Sequence, residues 1–272
     1  MKMDMEKART LLSSKPELVH SFPEWMLPAA TIERLRNTGG VAIAEIAGRD
    51  SIAAVLAAVE QYPLKAVLPT LAYTGTEYGD WEIPLEKCRY LAQRLSGADI
   101  EVAGPVLLGA PRFWWLLCGR YISQLFRRFG FYTPCPACHL YFHALRIPLA
   151  KLTGAGFITG GSRESHDGRI KVNQTATALD ACVKFVRGFG VELLLPLRHI
   201  ESGGEIERIL GRSWDEEGEQ LQCVLSGNYR NGEAAIAFDE RDLQRFFDEF
   251  ALPLAAEIVR DYLEGKSPAK LS

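Results

Sequence analysis

The sequence carries no excess of either charge. Lys and Arg number 31 against 34 Asp and Glu, a net charge of −3. That balance excludes a global basic field for nucleic acid, so any RNA contact needs a local patch. A long apolar run is missing as well. Phe113-Trp114-Trp115-Leu116-Leu117-Cys118 soon meets Gly119-Arg120 and falls short of a membrane span. The first residues, Met1-Lys2-Met3-Asp4-Met5-Glu6, lack the apolar core of a signal peptide. There is no internal repeat, no low-complexity segment and no clear linker. Together these absences predict a cytoplasmic protein with no membrane partner.

What is present describes an ordinary folded chain. Its 272 residues are 47% hydrophobic and 24% charged, enough to bury a sizeable core. The six cysteines are Cys88, Cys118, Cys135, Cys138, Cys182 and Cys223. In a reducing compartment they argue against a disulfide framework, and close pairs point to metal or redox chemistry.

Apolar periodicity alternates between strand and helix. Strands are predicted at 41–46, 66–73, 99–102, 157–159 and 191–195. Helices are predicted at 31–37, 51–61, 84–95, 112–128, 136–152, 175–186 and 205–210, with a helical tail at 240–264. Such alternation implies an α/β fold with a doubly wound, mostly parallel sheet. The expected organisation is a helical N-terminal extension (1–40), a nucleotide-binding α/β domain (41–211) and a C-terminal extension packed on the core (212–272). In that tail Leu243, Phe246, Phe247, Phe250 and Leu252 share one face.

Between the first strand and its helix lies Ala47-Gly48-Arg49-Asp50-Ser51. A small-residue turn lets backbone N–H groups approach phosphate oxygens, and the helix points its positive dipole end at the same place. Ser51 adds a hydroxyl, and Asp50 can cap the helix or orient a loop amide. Taken alone, the segment reads equally well as an N-capped strand-to-helix turn.

The segment resembles the PP-loop of the adenine nucleotide alpha hydrolase superfamily, which reads Ser-Gly-Gly-x-Asp-Ser. Gly48, Asp50 and Ser51 match, while Ile46 and Ala47 replace the first Ser and Gly, removing a hydroxyl and crowding the turn. Ala72-Tyr73-Thr74-Gly75-Thr76-Glu77 is similar to the Thr-Gly motif of the phosphoadenylylsulfate reductase branch. Gly161-Ser162-Arg163-Glu164-Ser165-His166-Asp167-Gly168-Arg169 is similar to its Gly-x-Arg-x-x-Glu-Ser-x-x-Arg stretch, with a slip around Glu164. The resemblance covers roughly 41–211. It implies a Rossmann-like PP-loop fold that binds ATP, with Mg2+ bridging the phosphates. Its nucleotide site would comprise Ala47, Gly48, Arg49, Asp50, Ser51, Thr74, Gly75, Gly161, Arg163 and Arg169. In this resemblance Arg163 and Arg169 would hold phosphate or sulfate oxygens by forked hydrogen bonds. A solvated loop around the two arginines, and a plain turn at Thr74-Gly75, are the bland alternatives.

Cys135 and Cys138 form a CxxC at the start of a predicted helix, where the thiolate is favoured. Two thiols at that spacing suit one metal or one cluster. Cys223 lies far downstream in the polar segment Gln220-Leu221-Gln222-Cys223-Val224-Leu225. A mid-chain CxxC with one distant Cys is similar to the cluster-bearing tRNA thiolation enzymes, in which three Cys hold a [4Fe–4S] cluster and leave one iron open. That resemblance implies Cys135, Cys138 and Cys223 as ligands and, with Asp50, as catalytic residues. Cys182 is the rival third ligand, although its apolar neighbours read as core, as do those of Cys88 and Cys118. A Zn2+ site completed by His139 and His143 competes.

Arg112, Arg120, Arg127, Arg128 and Arg146 interleave with aromatic residues around the CxxC. That mix serves base stacking with phosphate contact, or equally an amphipathic helix with a solvated Arg face. The leading expectation is an ATP-dependent sulfur transferase acting on tRNA or a small molecule. The alternatives are an adenylylsulfate reductase-like enzyme, whose C-terminal nucleophilic Cys has no counterpart after Cys223, and a non-catalytic nucleotide-binding protein with zinc. A homodimer is compatible with the sequence.

Overall fold

Two helices, α1 (Met5–Ser13) and α2 (Ala29–Arg36), precede the first strand in the computed structural model, which describes residues 3–214, 220–230, 239–266 and 268. The alternation then begins with β1 (Val41–Glu45), α3 (Arg49–Gln61), β2 (Ala66–Tyr73), β3 (Glu77–Tyr78) and α4 (Glu82–Arg94). It continues through β4 (Glu101–Val102), β5 (Val106–Gly109), α5 (Pro111–Cys118), α6 (Ile122–Phe129), α7 (Cys135–Thr153) and β6 (Phe157–Thr159). The last elements are α8 (Ala176–Arg187), β7 (Glu192–Leu194), α9 (Gly203–Leu210), β8 (Gln222–Cys223), α10 (Glu240–Phe246) and α11 (Leu252–Leu263).

The main sheet is parallel throughout, in the order β4-β2-β1-β6-β7. This is the doubly wound architecture that the alternation predicts. The residues of β1 and β2 are almost all buried, as strands covered by helices on both faces must be. On the free edge of β2, β4 pairs with Ala66 and Val67, and β5 pairs with the stretch from Thr70 to Tyr73. The sequence reading misses β5: the chain leaves the edge at Gly104-Pro105, where proline cannot donate to the ladder, and rejoins it further along.

Two helices differ from expectation. The single helix expected over 112–128 is two, α5 and α6, because the chain breaks at Gly119, where Gly119 and Arg120 both donate to the Trp115 carbonyl. The expected tail helix over 240–264 is continuous but contains a wide turn, Phe247–Ala251, just before Pro253. A wider turn accommodates a proline that supplies no N–H.

The extensions share the core. One apolar cluster runs from Ala8 and Leu18 through the strands to Phe247 and Tyr262. Helix α7 is its axis, packing against α2, α5, α8 and α11. Nearly every residue of α7 from Pro136 onward is buried, which fixes its N-terminal CxxC near the C-terminal ends of the strands. Among the described residues no helix is long and apolar enough to cross a membrane.

Candidate active site

A cavity of about 550 Å³ opens at the C-terminal ends of β1 and β6. This is the topological switch point where doubly wound sheets bind ligands. One wall is the loop Ala47-Gly48-Arg49-Asp50-Ser51, followed by the first turn of α3. The Ser51 hydroxyl accepts from the amides of Ala47 (2.9 Å) and Gly48 (3.1 Å) and donates to the Gly48 carbonyl (2.7 Å). Ser51 therefore folds the turn itself, and the start of α3 directs its dipole at the cavity. Gly161 lies against this loop: a Cβ there would come within 2.5 Å of backbone atoms of Asp50 and Ser51.

Asp50 is held by two arginines. Arg49 Nε donates to it at 2.8 Å and Arg163 Nε at 2.9 Å, and His166 Nδ1 lies 3.6 Å away. Burial pushes the Asp50 carboxyl up, but the Arg49 hydrogen bond and the Arg163 charge outweigh it and hold the group below its ordinary value. The structure places Arg163 behind the loop rather than in the cavity. It is fully buried, and its remaining donors go to the Ile200 and Glu201 carbonyls and to His166 Nδ1. Its expected phosphate fork is thereby spent on Asp50 and the backbone. His166 passes its other nitrogen to Gln174 Oε1 at 2.6 Å, an arrangement that suits the neutral ring. Burial, aided by the charges of Lys171 and Arg163, pushes the His166 pKa down to about 4. Arg169 does line the cavity, with Asp167, Lys171 and Arg230.

Thr74 and Gly75 are not on the cavity wall. Their amides donate to the carboxylate of Glu77, and the neighbouring Thr76 reaches the cavity in their place.

The opposite wall carries sulfur. Cys135 and Cys138, at the start of α7, and Cys223, in β8, all line this cavity. Trp114 Nε1 donates to Cys138 Sγ at 3.2 Å, and the Leu225 amide donates to Cys223 Sγ at 3.4 Å. The Cys135 thiol contacts Asn228 Oδ1 at 3.6 Å. Burial pushes the Cys135 pKa up to about 11; a hydrogen bond with Thr133 opposes the rise, and the thiols of Cys138 and Cys223 add to it. Cys182 is buried on α8, away from the cavity. Cys118, read from sequence as core, is buried as expected but lies beside Cys138, and burial followed by that contact raises its thiol well above the ordinary value.

Among the described residues no three His, Cys, Asp or Glu side chains are grouped so as to enclose a single metal ion. A zinc ion held at about 2.3 Å from each sulfur needs ligands drawn closely together. Of the histidines considered for zinc, His139 lines the cavity with its Nε2 bonded to Ser162 Oγ at 2.8 Å, and His143 is fully buried near Glu45 Oε2, at 3.7 Å. Three thiols on one cavity, two of them accepting N–H donors, are a donor set of the kind that can hold an iron–sulfur cluster.

Several residues of this region are not among those expected from the sequence to form the site. Glu45, at the end of β1, lines the floor; its Oε2 is buried 3.5 Å from Arg146 Nη1. Gln220 covers the loop, so a Cβ on Gly48 would come 2.4 Å from Gln220 Oε1. Trp114, Thr76 and Asn228 reach the thiols only through tertiary packing. The paired Glu45 and Arg146 could have been suspected as charges inside otherwise apolar elements; the others could not.

No family model matches the chain. It is 36% identical over 251 residues to "Uncharacterized protein MJ0009" of Methanocaldococcus jannaschii, covering 90% of each chain. Among solved structures, the U34-tRNA thiolase NcsA from Methanococcus maripaludis with its [4Fe-4S] cluster aligns over 86% of this chain and 77% of that one. The identity there is 15% and the TM-score 0.37, a likeness too slight to transfer anything to this chain.

Proposed function

The chain belongs to one family with uncharacterized protein MJ0009 of Methanocaldococcus jannaschii, and we propose that it is an ATP-dependent sulfur transferase. The observation that carries this reading is the shared cavity: a PP-loop-like turn on one wall and three cysteine thiols on the other.

In this reading the α3 N-terminus takes the triphosphate, with Arg169 and Lys171 on the adjoining rim. Mg2+ would enter with the nucleotide and offset its phosphate charge. In this reading Asp50, held by Arg49 and Arg163, fixes the loop on the cavity wall. An acceptor oxygen attacks the α-phosphorus, the bond to pyrophosphate breaks, and the acceptor becomes adenylated. A sulfur nucleophile of the hydrosulfide class then takes the place of that oxygen, which leaves as AMP. Cys135, Cys138 and Cys223 would hold a [4Fe–4S] cluster. Such a cluster, when bound, supplies an iron with an open position at which sulfur can be presented. The acceptor is a tRNA or a small molecule.

The test is the iron and acid-labile sulfide content of anaerobically purified protein beside Cys135→Ala, Cys138→Ala and Cys223→Ala, with AMP and pyrophosphate release measured in parallel. Iron and sulfide in near-equal amounts, lost in each variant, support the reading. Zinc or no metal in the wild type, or ATP left intact with every thiolation acceptor tried, sinks it.

A further inference from the structure

We propose that Glu77 is a positioning residue that holds the Cys223 thiol at the cavity rim. The inference rests on the reading of Cys223 as the third sulfur ligand. Strands β3 and β8 are two residues each and form a separate antiparallel pair, with Glu77 opposite Cys223. A two-stranded ribbon of that length does not hold itself together in water. Something outside the ladder must fix it.

The Glu77 carboxylate does so from within. It turns back on the end of β2 and accepts from the Thr74 amide at 3.0 and 3.1 Å, from the Gly75 amide at 3.0 Å and from the Thr74 hydroxyl at 2.7 Å. Successive amides converging on one carboxylate form an anion nest, here filled by the chain's own side chain. Gly75 adopts φ +90, a conformation that a side chain resists, so the sequence Thr74-Gly75 is what allows the nest. From there a hydroxyl path leads to sulfur. The Thr74 and Thr76 hydroxyls meet at 2.8 Å, and the Thr76 hydroxyl meets Cys223 Sγ at 3.3 Å. The Val224 amide donates to the Thr76 carbonyl at 3.1 Å, so backbone and side chain both tie the thiol to this turn. Cys135 and Cys138 need no such device, because α7 is built into the core.

The experiment compares Glu77→Ala, Glu77→Gln and a surface control, Glu60→Gln, in the full chain. Amide hydrogen exchange is followed in metal-free protein over 74–78, 222–224 and, as reference, 52–58 of α3. Glu77→Ala is expected to speed exchange about tenfold in the first two segments and leave α3 and the melting temperature unchanged. Glu77→Gln keeps one carbonyl acceptor for the nest and is expected to restore part of the protection. In protein reconstituted with iron and sulfide, Glu77→Ala is expected to lose iron to a chelator faster than wild type, and Glu77→Gln to recover part of the difference. Unchanged exchange over 222–224 in Glu77→Ala overturns the proposal. So does unchanged iron loss in a wild type that holds iron. A wild type that binds no iron while Glu77→Ala still frees 222–224 removes the sulfur-transfer reading and leaves the Glu77 anchor standing.

Discussion

The fully buried Arg163 guanidinium donates to the Asp50 carboxylate at 2.9 Å, tying the stretch after β6 to the turn after β1. Breaking such a pair leaves one charge without its partner in a poorly solvated place. Arg163→Met or Asp50→Ala is therefore expected to cost about 3–5 kcal/mol in urea denaturation. Because Asp50 also holds Arg49, ATP affinity measured by calorimetry is expected to fall in Asp50→Ala even at temperatures where the variant stays folded. Unchanged denaturation midpoints would show that the pair contributes nothing.

Two glycines in the site separate stability from binding. At Gly161 a Cβ would meet the Asp50 and Ser51 backbone at 2.5 Å, where nothing can give. Gly161→Ala is expected to destabilise the fold by about 1–3 kcal/mol through overpacking. At Gly48 the obstacle is the Gln220 amide, the far end of a flexible side chain. Gly48→Ala is expected to melt within a few degrees of wild type but to weaken ATP binding about tenfold or more, because it narrows the turn that the phosphates approach. Equal losses of stability in the two variants would contradict this division.

His166 gives the fold an acid limit. Its pKa is near 4 in the folded chain against 6.5 for an ordinary histidine. Above about pH 6.5 the ring is neutral in both states and costs nothing. Between 6.5 and 4 the unfolded chain takes up a proton that the native site refuses, so stability falls as pH falls. Burial of His139 and His143 works in the same direction. Melting curves from pH 7 to pH 4 are expected to show this decline, and His166→Gln is expected to flatten it. A variant that declines as steeply as wild type would remove His166 as a cause.

Glu45 and Arg146 meet at 3.5 Å under the cavity floor, with Arg146 also donating to Thr70 Oγ1 at 2.9 Å. Glu45→Ala is expected to cost about 3 kcal/mol by stranding the guanidinium. Adding Arg146→Met should return part of that loss, a positive coupling readable in a double-mutant cycle. Additive losses would show that the two charges act independently.

The sequence by itself determined the alternation of strand and helix. The apolar run at β1, the helix-forming run at α3 and the apolar stripe of the tail each follow from short-range periodicity, and the parallel sheet follows from their order. It also marked Gly48, Asp50, Ser51, Cys135, Cys138 and Cys223 as residue types suited to one chemistry. Only the tertiary structure decided how they are used. Whether Arg163 faces phosphate or Asp50 depends on burial, which a local pattern does not encode. Likewise, Thr74 and Gly75 read as a ligand turn until the chain reverses and Glu77 fills it. The pairing of β5 on the edge of β2 and the two-residue ribbon at Cys223 depend on partners distant in sequence. Periodicity fixes which face of an element is apolar; packing between elements fixes which polar group meets which, and the candidate site is made of the second kind of contact.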